Sequence, residues 1–218
     1  MLKMRENALQ FVKKSDGEVR WNSSSNKYKA VEVWRVIRPK KEKVNWHKLV
    51  WAGFIVPKHA FITWMAVLNR LSTKDKMRAW GMKVDGNCIL CRSAVETRDH
   101  LFYGCAFLKQ VWKEVLNLST YSRELSDWDE ELQWTIQRTK GKNLKAIILK
   151  IAWNAAIYFI WTERNRRIYQ DKERTRMQVM EMIKEVIRIQ LIGLKNVKLD
   201  SINFSLYRVW NLQIPVFE

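Results

Sequence analysis

The chain has 218 residues, of which 40 are Lys or Arg and 22 are Asp or Glu, for a formal net charge of +18. A 47% hydrophobic and 28% charged composition is enough to bury a core, which excludes a disordered basic tail. Only 7 glycines and 3 prolines are present, against roughly 15 and 11 at average usage, which points to long helices rather than a many-stranded barrel, and no glycine-rich phosphate-cradling string occurs.

In chain order, residues 1–28 form a weakly patterned N-terminal segment that ends in the polar run 23–26. Ala30, Val33, Trp34 and Ile37 are spaced for a short helix over 29–37, stopped by Pro39. A second short helix is predicted at about 46–51. Pro57 opens a third that runs to Arg70, with Phe61, Trp64, Met65 and Leu68 on one apolar face. Ser72 and Asp75 read as an N-cap and its partner for a helix that ends at Gly81. After a cysteine-bearing segment come helices at about 106–116, 127–139, 144–170 and 174–192. In the second of these, Ser126 is the expected N-cap for the acidic first turn Asp127, Asp129, Glu130 and Glu131. The 144–170 helix is apolar from Ala146 to Trp161 apart from Lys150 and Asn154. That is fewer than the ~20 apolar residues a membrane span requires, so it reads as a buried core helix. Trp46, Trp51, Trp64, Trp80, Trp112, Trp153 and Trp161 lie in apolar-periodic stretches and are assigned to the core. The expected fold is mainly α, a helical domain with a compact cysteine-bearing insert, in predicted parts 1–28, 29–118 carrying that insert, and a helical region at 119–218 packed on it.

All three cysteines lie within 88–105, with one of the three histidines, in the pattern Cys88-x2-Cys91-x8-His100-x4-Cys105. Two cysteines two residues apart can bind from one tight turn, and His100 and Cys105 return on the following segment. Four soft or borderline donors close a tetrahedral site with no open position, which predicts one structural zinc rather than a catalytic one.

The block Val44-Asn-Trp-His-Lys-Leu-Val-Trp51, Pro57-Lys-His-Ala-Phe-Ile-Thr-Trp64, Arg70-Leu-Ser-Thr-Lys-Asp75 and Trp80-Gly-Met82, leading into the cysteine segment and Val111-Trp112, resembles the zinc-binding domain at the C-terminal end of plant non-LTR (LINE-type) reverse transcriptases. Ile160-Trp-Thr-Glu-Arg-Asn-Arg-Arg-Ile168 resembles the segment that follows in those reading frames. The resemblance implies zinc at Cys88, Cys91, His100 and Cys105, and an origin in an RNA-templated DNA-synthesis machine.

Half of the charge surplus lies in the first 60 residues, with 14 basic and 5 acidic side chains, and a second basic cluster follows the apolar helix. Such a balance favours polyanions, so RNA or DNA is the expected partner. Lys40, Lys41, Lys43, Arg164, Arg166 and Arg167 are the expected phosphate contacts. The alternative is a structural or protein–protein interaction module in which zinc only fixes the fold. Catalysis is not expected. The paired aspartates of a two-metal polymerase are missing, since Tyr169-Gln-Asp171-Lys172 lacks the second, and the 127–131 acidic group has a helix-dipole explanation. No signal-peptide stretch opens the chain, and three cysteines cannot close a disulfide set. An intracellular, nuclear location with no membrane partner is expected.

Overall fold

The computed structural model describes residues 12–15, 18–21, 42–192, 194 and 200–212. The chain divides into two units, 1–44 and 45–218. In the first, β1 (Val12–Ser15) pairs antiparallel with β2 (Glu18–Trp21), with Val12 opposite Trp21 and Ser15 opposite Glu18. This hairpin lies in the segment read as unpatterned. Its sequence signal is Asp16-Gly17, a pair favoured in two-residue hairpin loops. The helix expected at 29–37 falls outside the described residues.

The second unit holds, among its described residues, α1 (His47–Val50), α2 (Pro57–Val67), α3 (Lys74–Ala79), a π-helical turn (His100–Gly104), α4 (Ala106–Leu118), α5 (Trp128–Arg138), α6 (Leu144–Gln170), α7 (Arg176–Leu191) and α8 (Ser201–Val209). The mainly helical class is as expected. Local chemistry sets most helix starts. Asn143 Oδ1 accepts from the Ala146 N–H at 2.8 Å to cap α6, and Thr175 and Gln178 form a reciprocal capping box on α7. Asp127, rather than the expected Ser126, caps α5 by accepting from Glu130 N at 2.9 Å. A carboxylate at that position combines the cap with a favourable dipole charge. α8 was not anticipated; Asp200 caps it through Asn203 N at 2.8 Å.

α6 is the axis of the unit. It packs against α1, α2, α4, α5, α7, α8 and the π-helical turn. With neighbours on every side it has no polar face, and Ile148, Leu149, Ile151, Ala152, Trp153, Ala155 and Ile160 are all fully buried. The whole 27-residue helix is by length and composition able to cross a membrane, but 83% of its most apolar 18-residue window is buried within this fold. Two polar donors in it are satisfied internally, although Asn154 Oδ1 is buried without a partner. Asn154 Nδ2 donates to Leu49 O at 3.0 Å and to Lys150 O at 2.8 Å, and Trp153 Nε1 donates to Tyr103 Oη at 2.7 Å. The first of these ties α6 to α1 through a backbone carbonyl.

The burial of α2 differs from the sequence expectation. Its inner face is His59, Ala60, Thr63 and Ala66, whereas Phe61 and Leu68 are exposed and Trp64 and Met65 are half-buried. Small residues bring a helix backbone close to α6, a closeness that the larger aromatic face would prevent. Trp51 and Trp80, also expected in the core, are exposed, while Trp112, Trp153 and Trp161 are buried.

His59 stacks on Tyr158, ring centroids 4.2 Å apart, with Phe159 edge-on at 5.3 Å. Burial, assisted by the neighbouring Lys58 ammonium, holds its pKa down at about 4. Between its ordinary value and pH 4 the unfolded chain takes up a proton that the folded chain refuses, so stability falls as pH falls through this window. The expected loss is about 2 kcal/mol between pH 7 and pH 5. Urea unfolding at the two pH values measures it. The His59→Leu variant should lose most of this dependence, and an unchanged slope in that variant would clear His59 of the effect.

Candidate metal centre

The segment between α3 and α4 buries Leu90, Leu101, Phe102 and Tyr103 in the core, and its backbone is organised around four side chains. Asn87 and Val95 form an antiparallel bridge that closes a turn. Inside it, Cys88 N donates to Ala94 O at 2.8 Å and Arg92 N to Cys88 O at 2.7 Å, with Arg92 in the left-handed region at φ 58°. That turn brings Cys88 and Cys91 to one side. The return strand enters the π-helical turn at His100, whose N–H donates to Thr97 Oγ1 at 3.1 Å. Cys105 then stands at the N-cap of α4, its N–H donating to His100 O at 2.6 Å.

The donor atoms of Cys88, Cys91, His100 and Cys105 all lie within 4.8 Å of one another. Cys88 Sγ and Cys105 Sγ are 3.9 Å apart, and Cys91 Sγ and His100 Nε2 are 3.2 Å apart. A tetrahedral zinc with Zn–S of about 2.3 Å sets sulfurs about 3.8 Å apart, so the donors present fit that ion. Gly104 makes room for the imidazole, because a Cβ there would sit 3.0 Å from His100 Nδ1. Ser93 Oγ donates to Cys91 Sγ at 3.2 Å, a support of the kind that orients metal ligands. The Cys88 thiol is drawn down to about 5, chiefly because Cys105 donates a hydrogen bond to its thiolate. Cys105 is correspondingly pushed up. A bound zinc would displace the proton that these two buried sulfurs share, together with that of the Cys91 thiol.

Glu96, a carboxylate of the same insert, is not directed at the cluster. It is fully buried and its Oε1 accepts from Arg164 Nε at 3.0 Å, Arg164 Nη2 at 2.7 Å and Lys74 N at 3.0 Å. One carboxylate oxygen thus caps α3, in place of the expected Ser72, and joins the insert to α6. Glu96 O also accepts from Asp75 N at 3.2 Å. Sequence reasoning missed this role, because Glu96 and Arg164 are 68 residues apart and carry no local pattern.

The expected phosphate contacts fare differently. Arg164 is fully buried, paired with Glu96 and lying 4.8 Å from the Trp161 ring, so it cannot reach a phosphate. The Arg167 side chain is only 9% exposed, its Nε donating to the buried Glu163 at 2.8 Å and its Nη2 to Arg174 O at 3.0 Å. Both cations are consumed in fastening α6 to the insert and to the start of α7. Arg166 is half-buried and Lys43 is exposed, while Lys40 and Lys41 lie outside the described residues. The acidic group of α5 is likewise structural in this fold, since Glu131 is buried and accepts from Arg123, from Ser126 N at 2.9 Å and from Trp112 Nε1 at 3.4 Å.

Residues 28–112 match the family described as zinc-binding in reverse transcriptase. The match spans the whole four-donor cluster and stops in α4. Neither a curated protein nor a solved structure matches the chain.

Proposed function

We propose that the protein is a non-catalytic accessory module that holds one structural zinc at Cys88, Cys91, His100 and Cys105 and binds RNA or DNA through phosphate contacts. Its descent would be from a LINE-type retrotransposon reverse transcriptase of plant type. The +18 charge carries the nucleic-acid part of this reading, because it remains after the buried carboxylates Glu96, Glu131 and Glu163 have each found a basic partner. A closed four-donor set supports a structural metal, since all positions of a tetrahedral zinc are filled by protein.

Binding of a labelled single-stranded RNA and of duplex DNA, each at 50 and 200 mM salt, tests the reading. Affinity is expected to fall by about 10³-fold for the duplex and about 300-fold for the single strand across that range if about six phosphates are contacted. Binding that ignores salt, or no binding at 50 mM, would overturn it and leave an interaction module whose zinc only fixes the fold. Divalent-metal-dependent cleavage of either probe would overturn the non-catalytic part.

A further inference from the structure

α2 turns its small residues inward and leaves an aromatic face outside, and core packing does not account for that face. Phe61 is 51% exposed and Trp51, at the end of α1, 43%. Trp64 lies between them, its ring centroid 6.3 Å from Trp51 and 5.8 Å from Phe61, with interplanar angles near 54°. The three rings form a continuous run whose two ends are open to solvent.

The charge around this run is of one sign. From Lys43 to Lys74 the sequence contains no Asp or Glu. Lys48 and Lys58 are exposed and each stands three residues before an exposed ring, Trp51 and Phe61 respectively, and Arg70 is exposed beyond the end of α2. Among the described residues none of Lys48, Lys58 and Arg70 joins an ion pair, whereas Lys184 has both Glu114 and Glu181. The neighbours register this uncompensated charge. Lys150 is held below its ordinary value by burial and then by Lys48, and His59 by burial and then by Lys58.

We infer that Trp51, Trp64 and Phe61, flanked by Lys48 and Lys58, are a stacking platform for single-stranded nucleic acid, with unpaired bases on the rings and phosphates on the ammonium groups. Exposed π-faces beside cations that have no acidic partner among the described residues, with Lys58 Nζ resting 5.3 Å over the Tyr158 ring, match the two halves of a nucleotide, and a duplex hides the base faces that the rings would hold. The inference rests on the nucleic-acid reading above, and supplies a site in place of the buried Arg164 and Arg167.

Fluorescence anisotropy of a short labelled oligouridine at low salt tests it, with a duplex of equal length as competitor. Phe61→Ala is expected to weaken oligouridine binding roughly 5- to 100-fold with an unchanged salt slope, and Phe61→Tyr to restore it. Lys48→Glu with Lys58→Glu should flatten the slope by about 1.4, two phosphate contacts on a single strand. Met177→Ala, an exposed apolar change on α7, should leave binding as it is. Phe61 is half exposed, so these variants keep the fold, which far-ultraviolet circular dichroism and zinc content check. Wild-type binding that the ring variants leave within twofold would overturn the platform and spare the nucleic-acid reading. No wild-type binding would overturn both. A dimer dissociated by Phe61→Ala, with oligouridine binding intact, would assign the face to a second copy of the chain.

Discussion

Stripping the metal with a chelator, or replacing Cys88 or Cys105 by Ser, is expected to unfold residues 85–112. Both cysteines are fully buried, and they tie the Cys88–Cys91 turn to the start of α4. Structural zinc contributes about 10–16 kcal/mol in small metal-dependent folds, as much as the about 5–15 kcal/mol that holds a whole domain together. A serine oxygen is a harder, weaker donor for zinc than a thiolate, and its hydroxyl would be buried beside the remaining sulfurs without the hydrogen bonds that burial demands. The loss should spread, because Glu96 is in the same insert and its release frees a buried guanidinium on α6. Elemental analysis of freshly purified protein should give one zinc per chain. Near-ultraviolet circular dichroism should collapse on chelation and in either variant. Protein that is purified without zinc and keeps its spectrum in chelator would remove the metal from the account.

What the sequence made legible follows range and redundancy. The bounds of α6, 144–170, were readable from a long apolar run within one stretch, and the structure places an Asn143 cap and a left-handed stop at Asp171 (φ 49°) at its ends. The four metal donors were readable for the same reason, being packed into eighteen consecutive positions with spacings that only a few chemistries use. Errors arose where the deciding partner was distant. The run Arg164-Asn165-Arg166-Arg167 has the composition of a phosphate-binding patch, yet Glu96 and Glu163 claim two of its three cations inside the protein. The burial of α2 was read from the helical spacing of Phe61, Trp64, Met65 and Leu68, when the inner face is His59, Ala60, Thr63 and Ala66 against α6. That second error matters most for function, since it moves Phe61 and Trp51 from the core to the surface.

Glu96→Gln is expected to lower stability by about 3–5 kcal/mol, which for a domain of this size shifts Tm by roughly 10 °C. Glutamine keeps a carbonyl oxygen for the Lys74 N–H, so the cap on α3 survives and the change isolates the charge. What remains is Arg164, fully buried, with a guanidinium that has lost its counter-charge. Asn165 Oδ1 at 2.8 Å and the Trp161 ring still face it, and neither carries a full negative charge. Arg164→Met should cost a similar amount for the mirrored reason, since it leaves a buried carboxylate whose other oxygen already has no protein partner. Desolvating two charges takes back much of what their attraction gives, so removing both together costs less than the two separate losses. The double variant Glu96→Gln with Arg164→Met should therefore lose about as much as one single variant rather than the sum of the two, a coupling of about 3 kcal/mol in a double-mutant cycle by urea unfolding. Zinc content should stay at the wild-type level in all three variants, because neither side chain reaches the donor cluster. Additive losses would mean that the two groups act independently, and single losses under about 1 kcal/mol would mean that water screens the pair. Either result would sever the link argued here between the insert and the core helix.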